Sequence, residues 1–279
     1  MKYVKLVIAI DDEYQEPFIA ELLDLDFDAF EQQDETIITY IPQQLFNDVS
    51  REHIEQVLAA YSGDAYIQSE EIIEDQNWNE QWEQTIKAQQ IGSFFVKPTW
   101  SIEEVPEESI LLEIDPKMAF GTGYHETTRL MLKMLPNVIE EGTFIMDAGT
   151  GTGILAIASI KLGAEKVFAF DIDEWSITNS KENILLNKVS DKVTVKEGSI
   201  EVVDDSAMFD VILANIQRNP LLELIPSFKE YLHQSGTLLM SGLLESDYKI
   251  IEDALIQQDL KIAKTRKENE WIALQVVHQ

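Results

Sequence analysis

A glycine-rich turn between an apolar strand and a helix constrains the fold of this chain more than any other feature. The apolar run begins at Phe144, and Gly149, Gly151 and Gly153 follow it before the predicted helix. Glycine readily adopts positive φ angles and lets the backbone approach a ligand without a Cβ in the way. The first turn of the following helix offers N–H groups that have no partner within the helix. We therefore predict that the main chain binds a ligand at this turn.

An acidic residue follows at the end of the next apolar run. Asp171 ends the run Lys166–Phe170 and lies 22 residues after Gly149. In a βαβ unit, a carboxylate at the tip of the second strand can accept hydrogen bonds from the hydroxyl groups of a ribose. The combination predicts a binding site for a nucleoside cofactor.

The glycines alone leave the identity of that cofactor open. The run Gly151–Ala156 matches the dinucleotide pattern G-x-G-x-x-G/A, which would indicate a nicotinamide-dependent oxidoreductase. The run Gly149–Gly153, with Asp147 two residues upstream, fits the S-adenosylmethionine-dependent methyltransferases of the seven-stranded type better. A protein that binds the cofactor without turning it over is a third alternative.

Composition excludes several kinds of site. The 279 residues include no cysteine, so disulfides, thiolate metal ligands and cysteine nucleophiles are excluded, and we expect no bound metal. The first apolar run is short, contains Lys5 and stops at Asp11, which is unlike a signal peptide. No stretch approaches the roughly 18 apolar residues of a membrane span. We expect a soluble cytoplasmic protein without membrane association.

The net charge is −30, and the excess of acidic residues is densest in the N-terminal third. Residues 1–90 contain 21 Asp and Glu against 4 Lys and Arg. A surface of this charge repels phosphate backbones and attracts cationic partners. We therefore expect no direct binding of nucleic acid. Charge alone supports a basic protein partner and a role in solubility equally well.

Three segments with different patterns follow one another. Residues 1–75 predict the order βαββαβ, which is the ferredoxin-like arrangement. Residues 76–110 predict a connector, in which Trp78 and Trp82 lie one helical turn apart and are expected to anchor the segment on a core. Residues 111–279 predict the larger, cofactor-binding domain.

From residue 110 onward, strands and helices alternate and the chain ends in a hairpin. This order predicts an α/β domain with a mostly parallel sheet and an antiparallel edge. One short strand is expected in the connector at 91–97. The strands are expected at 110–114, 143–147, 166–171, 193–197, 209–214 and 236–241, with the hairpin at 261–265 and 270–277. The helices are expected at 126–135, 154–162, 174–187, 219–232 and 246–257.

The segment before the cofactor strand is dense in glycine and polar residues. Gly121 and Gly123 precede the helix predicted at 126–135, so the N-terminus of that helix can fold over the ligand. His125 lies at the start of this helix, where a histidine is more often a structural hydrogen-bonding group than a general base. We therefore assign His125 no catalytic role.

The segment Phe120–Thr128 resembles the F-G-T-G-x-H-x-T-T signature of the ribosomal protein L11 methyltransferases, the PrmA family. The runs Asp147–Ile157, Asp171–Asp173 and Val211–Ile216 are similar to the cofactor motifs of that family in order and spacing. The resemblance covers residues 77–279, and the part before them matches in predicted topology. It implies a Rossmann-like, seven-stranded class I methyltransferase domain preceded by a small ferredoxin-like α+β domain.

The resemblance also implies a function. It implies an S-adenosylmethionine-dependent methyltransferase that modifies lysine side chains and the N-terminal α-amine of ribosomal protein L11. By position, Thr128, Gly149, Asp171 and Asn215 match the residues that contact the cofactor in this family. The domain of residues 1–75 would recognise the protein substrate, and we expect a monomer. Methylation of another basic protein is the alternative within the same reaction class.

The chemistry of methyl transfer makes Asn215 the expected catalytic residue. A sulfonium methyl group is already electrophilic, so the enzyme mainly has to align a neutral amine for in-line displacement. A lysine, whose reference pKa is about 10.4, must lose its proton, and a dry pocket favours the neutral form. Asn215 ends a predicted strand, where its amide or its main-chain oxygen can direct the amine or hold the cofactor.

Overall fold

The computed structural model divides into two compact units, residues 1–78 and residues 79–279. The first unit has a hydrophobic core of its own, and the second has two. The predicted anchors Trp78 and Trp82 lie outside the residues that the structure describes. The described residues are 2–23, 27, 29–61, 65–74, 86–116, 121 and 123–279.

The first unit is a four-stranded antiparallel sheet packed against two helices. Its elements are β1 (Lys2–Ala9), α1 (Asp12–Leu23), β2 (Ala29–Gln33), β3 (Thr36–Pro42), α2 (Asp48–Tyr61) and β4 (Tyr66–Glu74). Burial alternates along β3, so Ile37 and Ile41 face the same core as Phe18 of α1 and Ile54 of α2. The sheet order β2-β3-β1-β4 confirms the predicted ferredoxin-like arrangement.

The second unit contains the regular alternation of strands and helices. Its strands are β5 (Gln89–Ile91), β6 (Phe94–Lys97), β7 (Ile110–Glu113), β8 (Phe144–Ala148), β9 (Lys166–Asp171), β10 (Val193–Glu197), β11 (Phe209–Asn215), β12 (Leu232–Leu244), β13 (Leu260–Glu268) and β14 (Trp271–His278). Its helices are α3 (Glu126–Met134), α4 (Ile154–Leu162), α5 (Glu174–Leu186), α6 (Arg218–Tyr231) and α7 (Tyr248–Gln257). None of the described helices is both long and apolar enough to span a membrane.

The main sheet has seven strands in the order β10-β9-β8-β11-β12-β14-β13. Strands β8 to β12 pair in parallel, and the hairpin β13–β14 pairs antiparallel at one edge, as predicted. The chain runs outward from β8 to β9 and β10 on one side, and β11 and β12 lie on the other. This reversal between β8 and β11 opens a crevice at the carboxyl ends of the strands, where α/β sheets bind ligands.

The connection or the pairing of two predicted strands differs from what we expected. The single strand predicted at 91–97 is a hairpin, because Gly92 adopts a φ of +59° and turns the chain between β5 and β6. The strand predicted at 110–114 exists as β7, but it pairs with β6 in a separate three-stranded sheet. Apolar periodicity indicates a strand without indicating its partner, so the sheet to which β7 belongs follows only from the structure.

Candidate active site

A cavity of about 610 Å³ lies at the carboxyl ends of the central strands of the main sheet. It is of the size that a small-molecule cofactor needs. Three of the four predicted site residues contribute to its wall: Gly149 after β8, Asp171 at the end of β9 and Asn215 at the end of β11. Their convergence could be expected from the sequence, because the carboxyl ends of parallel strands meet at one edge of a sheet.

Gly149 lets the glycine loop approach this cavity closely. Its φ is +70°, and its N–H donates to the main-chain oxygen of Phe170 at 2.9 Å. A Cβ at this position would overlap the side chain of Ile216, which packs directly against the loop. The loop therefore has a glycine here for two reasons, its conformation and its contact with Ile216.

Asp171 is fixed in orientation by two main-chain N–H groups. Gly151 donates to Oδ2 at 2.9 Å, and Asp173 donates to Oδ1 at 3.1 Å. An ionised carboxylate has about four acceptor positions, so both oxygens can still accept hydrogen bonds from a ligand. Asp171 thereby joins the glycine loop to the side of the cavity where a ribose is expected. Asp173 caps α5, because its Oδ2 accepts from the N–H of Ser176 at 2.9 Å.

Asn215 lines the cavity and has one unsatisfied side-chain acceptor. Its Nδ2 donates to Thr128 Oγ1 at 3.4 Å. Its Oδ1 is buried and has no hydrogen-bond partner among the described residues. A buried polar atom without a partner is costly, and in a binding site it indicates where a ligand donor belongs.

The two threonines at the start of α3 have different positions. Both are buried, but Thr127 lines the cavity, whereas Thr128 accepts a hydrogen bond from the amide of Asn215. His125 caps α3, since its Nδ1 accepts from the N–H of Thr127 and lies 2.9 Å from Thr127 Oγ1. His125 thus has the structural, hydrogen-bonding role that we expected, and it also lines the cavity.

A buried carboxyl group lies beneath the glycine loop. Asp147 is 1% exposed and accepts from Thr150 Oγ1 at 2.7 Å. Burial raises the pKa of Asp147 to about 7, and the negative charge of Asp171 acts in the same direction, while the bond from Thr150 opposes both. A carboxyl group that is hydrogen-bonded to the glycine loop therefore changes its protonation near neutral pH.

Ile216 is held between the glycine loop and β12. Its side chain packs on Gly149, and its main chain lies on Gly242, where a Cβ would overlap the Ile216 carbonyl group. Gly242 has a φ of +85° and lies where the pairing of β12 with β14 shifts register. These two close approaches fix the backbone that carries Asn215.

Trp271 contributes a wall that the sequence did not indicate. It lines the cavity and packs edge-on against His125, with ring centroids 4.7 Å apart. The turn before it is tied to α3, because Glu268 accepts from Arg129 Nε at 2.6 Å and from Lys133 Nζ at 2.9 Å. Trp271 lies in the C-terminal hairpin, far from any motif, so only the folded chain brings it to the site.

The remaining wall comes mainly from β9, the start of α5 and the loop after β11. Within the described part of the chain, no group of three or more His, Asp or Glu is arranged to hold a metal ion. The residues not yet named as lining are Gly151, Phe170, Ile172, Ser176, Ser199, Ile216, Gln217, Pro220, Leu224 and Gly242.

The seven-stranded sheet, its switch point and the glycine loop together define the fold of a class I methyltransferase. The family model described as "Ribosomal protein L11 methyltransferase (PrmA)" matches residues 3–279. The chain belongs to this family. Membership in it favours methyl transfer over the oxidoreductase alternative.

Individual relatives are similar to the chain over most of its length. The ribosomal protein L11 methyltransferase of Porphyromonas gingivalis is 38% identical over 268 residues, which cover 91% of this chain and 88% of the relative. That of Chlorobaculum parvum is 34% identical and covers 97% of this chain and 95% of the relative. A solved structure of a ribosomal protein L11 methylase from Lactobacillus delbrueckii subsp. bulgaricus is 31% identical, with a TM-score of 0.65, and covers 70% of this chain and all of the solved chain.

Proposed function

We propose that this protein transfers methyl groups from S-adenosylmethionine to lysine side chains and to the N-terminal α-amine of ribosomal protein L11. The family supports the reaction class, and the names of the relatives support the substrate. One observation of the site carries the proposal. The buried Asn215 Oδ1 is without a partner in the described part of the chain, in the cavity that Asp171 also lines.

The residues of the cavity fit the proposed cofactor. The oriented carboxylate of Asp171 would accept hydrogen bonds from the ribose hydroxyl groups. Gly149, which has no Cβ, would let the main chain of the loop approach the cofactor closely. When bound, S-adenosylmethionine supplies a methyl group that is already electrophilic because it is attached to a sulfonium.

Asn215 would act on the incoming amine. Its Oδ1 can accept a hydrogen bond from an amine N–H, which orients the nitrogen lone pair for in-line attack. Thr128 fixes the carboxamide in the required direction by accepting from Nδ2. In this assignment Thr128 acts through Asn215, while its predicted contact with the cofactor stays a prediction.

The apolar part of the cavity wall would help to deprotonate the acceptor. The cavity is lined by Ile216, Pro220 and Leu224, which follow Asn215 in sequence, and by Trp271 of the C-terminal hairpin. Apolar surroundings disfavour an ammonium ion and therefore lower the pKa of a lysine that enters them. Desolvation can thus supply a neutral amine without a dedicated general base.

The first unit would recognise the protein substrate, as the resemblance implies. Its acidic composition suits a cationic ribosomal protein, because opposite charges speed the encounter at low salt. We also propose that the enzyme acts as a monomer in the cytoplasm and makes no direct contact with nucleic acid.

Two measurements test the proposal. Isothermal titration calorimetry should detect binding of S-adenosylmethionine and no binding of NADH. Mass spectrometry of purified ribosomal protein L11, incubated with enzyme and cofactor, should show added methyl groups on amines. Binding of the cofactor without any methyl incorporation would favour the non-catalytic alternative, and transfer only to another basic protein would change the substrate.

A further inference from the structure

Buried side chains attach both described ends of one segment to the cofactor-binding part of the fold. The segment begins at Asp115 after β7 and reaches Gly121 before α3. Asn183 of α5 holds the first end, and Thr152 of the glycine loop holds the second. Neither Asn183 nor Thr152 is among the residues that line the cavity.

The first attachment is a set of hydrogen bonds to the main chain of Asp115. Asn183 Oδ1 accepts from the N–H of Asp115 at 3.0 Å, and Asn179 Nδ2 donates to its carbonyl oxygen at 2.8 Å. Asn183 Nδ2 also donates to the carbonyl oxygen of Thr152 at 2.9 Å. Asn179 and Asn183 are 2% and 1% exposed, so these bonds are shielded from water and define one arrangement.

The second attachment is a single hydrogen bond from the glycine loop to Gly121. Thr152 Oγ1 donates to the carbonyl oxygen of Gly121 at 2.7 Å, and Thr152 is fully buried. Gly121 has a φ of +106°, and a Cβ there would lie only 2.9 Å from this hydroxyl. The close contact therefore depends on glycine at one side and on a hydroxyl at the other.

The hydrogen bond between Thr152 and Gly121 connects the loop that is expected to bind the cofactor with the side of the cavity that is expected to bind the acceptor. Thr152 stands between Gly151 and Gly153 in the loop that is expected to bind the cofactor. The segment that Gly121 belongs to continues to His125 and Thr127, which form the wall of the cavity next to Asn215. A shift of the loop on cofactor binding would reach that wall through one hydrogen bond.

We propose that Thr152 is a positioning residue that couples cofactor binding in the glycine loop to the order of the acceptor side of the cavity. The inference rests on the proposed function, because it takes S-adenosylmethionine as the ligand of the loop. By linkage, a cofactor that orders this wall binds more tightly when the acceptor protein is present.

Thr152→Val tests the coupling, because it keeps the shape of the side chain and removes only the donor. Thr152→Ser keeps the donor and serves as the conservative rescue. Thr143→Val is a control for the substitution itself, since Thr143 also donates to a main-chain oxygen, that of Glu140 at 2.9 Å, at a partly exposed position that does not line the cavity. The readout that does not need activity is hydrogen–deuterium exchange with and without S-adenosylmethionine.

We expect the cofactor to slow exchange in wild type both at 149–153 and at 121–128. In Thr152→Val, the protection from exchange should persist at 149–153 and be lost at 121–128. The kcat/KM for ribosomal protein L11 should fall about 10-fold or more, because a buried acceptor loses its donor. The dissociation constant of the cofactor alone should change by less than about 3-fold, which is well below that effect. Thr152→Ser and Thr143→Val should behave like wild type.

Three results would overturn the inference. The first is wild-type protection at 121–128 in Thr152→Val. The second is an equal loss in Thr152→Ser, which would assign the effect to packing. The third is a loss of cofactor affinity as large as the loss in kcat/KM. A wild-type enzyme that shows the exchange pattern but leaves ribosomal protein L11 unmodified would contradict the proposed function and leave the coupling supported.

Discussion

The side-chain nitrogen of Asn215 lies 3.4 Å from the hydroxyl oxygen of Thr128 and donates a hydrogen bond to it. This bond decides which end of the carboxamide faces the hydroxyl, and so which atom is left without that partner. Oδ1 is left buried without a partner in the part of the chain that the structure describes. The pair thus prepares an acceptor before any substrate is bound.

Thr128→Val should therefore reduce methyl transfer more than it reduces cofactor binding. Without the hydroxyl, the carboxamide of Asn215 is free to rotate, and its oxygen no longer points in one direction. We expect kcat to fall about 10-fold, corresponding to the loss of one buried hydrogen bond. Thr128→Ser keeps the hydroxyl and should retain most of the activity. A Thr128→Val enzyme with unchanged kcat would show that Thr128 does not orient Asn215.

Asp171→Ala should weaken the binding of S-adenosylmethionine. A hydrogen bond to a charged group contributes about 1.5–3 kcal/mol, so the dissociation constant should rise roughly 10–150-fold. Calorimetry of the purified variant measures this change directly. Glu174→Ala, which removes a neighbouring exposed carboxylate, is the matched control and should bind like wild type. Equal affinity in Asp171→Ala and wild type would remove Asp171 as the ribose anchor.

Much of the fold and the polar half of the site could be predicted from the sequence, because both depend on local signals. The sequence marked Gly149 by its glycine-rich turn, and Asp171 and Asn215 as polar residues that end strands. The carboxyl ends of parallel strands lie at one edge of the sheet, which brings these residues together at the cavity. Trp271 and Gly242 carry no comparable signal, since they reach the cavity through the pairing of β12 with β14.

Element boundaries were missed where tertiary pairing overrides local pattern. The strand predicted at 236–241 extends from Leu232 to Leu244, because Leu232 pairs with Phe209 at one end and Leu243 pairs with Ile272 at the other. A polar stretch between Leu232 and the apolar core of the strand concealed this extension. The resemblance marked Thr128, whose contact with the cofactor stays a prediction, and the adjacent Thr127 lines the cavity without having been marked.

Asp147→Asn should change how stability depends on pH. The pKa of Asp147 is raised from 3.8 to about 7 on folding, so its ionised form is disfavoured in the folded protein. The contribution of Asp147 to the free energy of unfolding is fully present below pH 3.8 and is lost as the pH rises through about 7. The variant has no charge to bury, so its free energy of unfolding relative to wild type should increase across this window. Urea unfolding of both proteins from about pH 5 to about pH 8 measures the difference, and a constant difference would contradict the raised pKa.

Gly149→Ala should impair cofactor binding, and Ile216→Ala should relieve part of the defect. The new Cβ would overlap the side chain of Ile216, and alanine at position 216 would open that space, although the positive φ at 149 remains strained. Gly242→Ala is the informative comparison. Its Cβ would overlap the Ile216 main chain, so Ile216→Ala should bring no relief there. Cofactor affinities of the single and double variants give the two coupling energies, and equal coupling at both glycines would contradict the assigned contacts.

Removal of residues 1–75 should separate recognition of the protein substrate from binding of the cofactor. The residues that line the cavity all lie between His125 and Trp271, and the second unit has hydrophobic cores of its own. A chain that begins at residue 76 should therefore retain the affinity of the full chain for S-adenosylmethionine. The deleted segment carries much of the acidic surface that would attract a cationic protein, so methylation of intact ribosomal protein L11 should be lost. Calorimetry and mass spectrometry on the same preparation test both statements together. Undiminished methylation of the intact protein by the truncated enzyme would show that the first unit does not recognise the substrate.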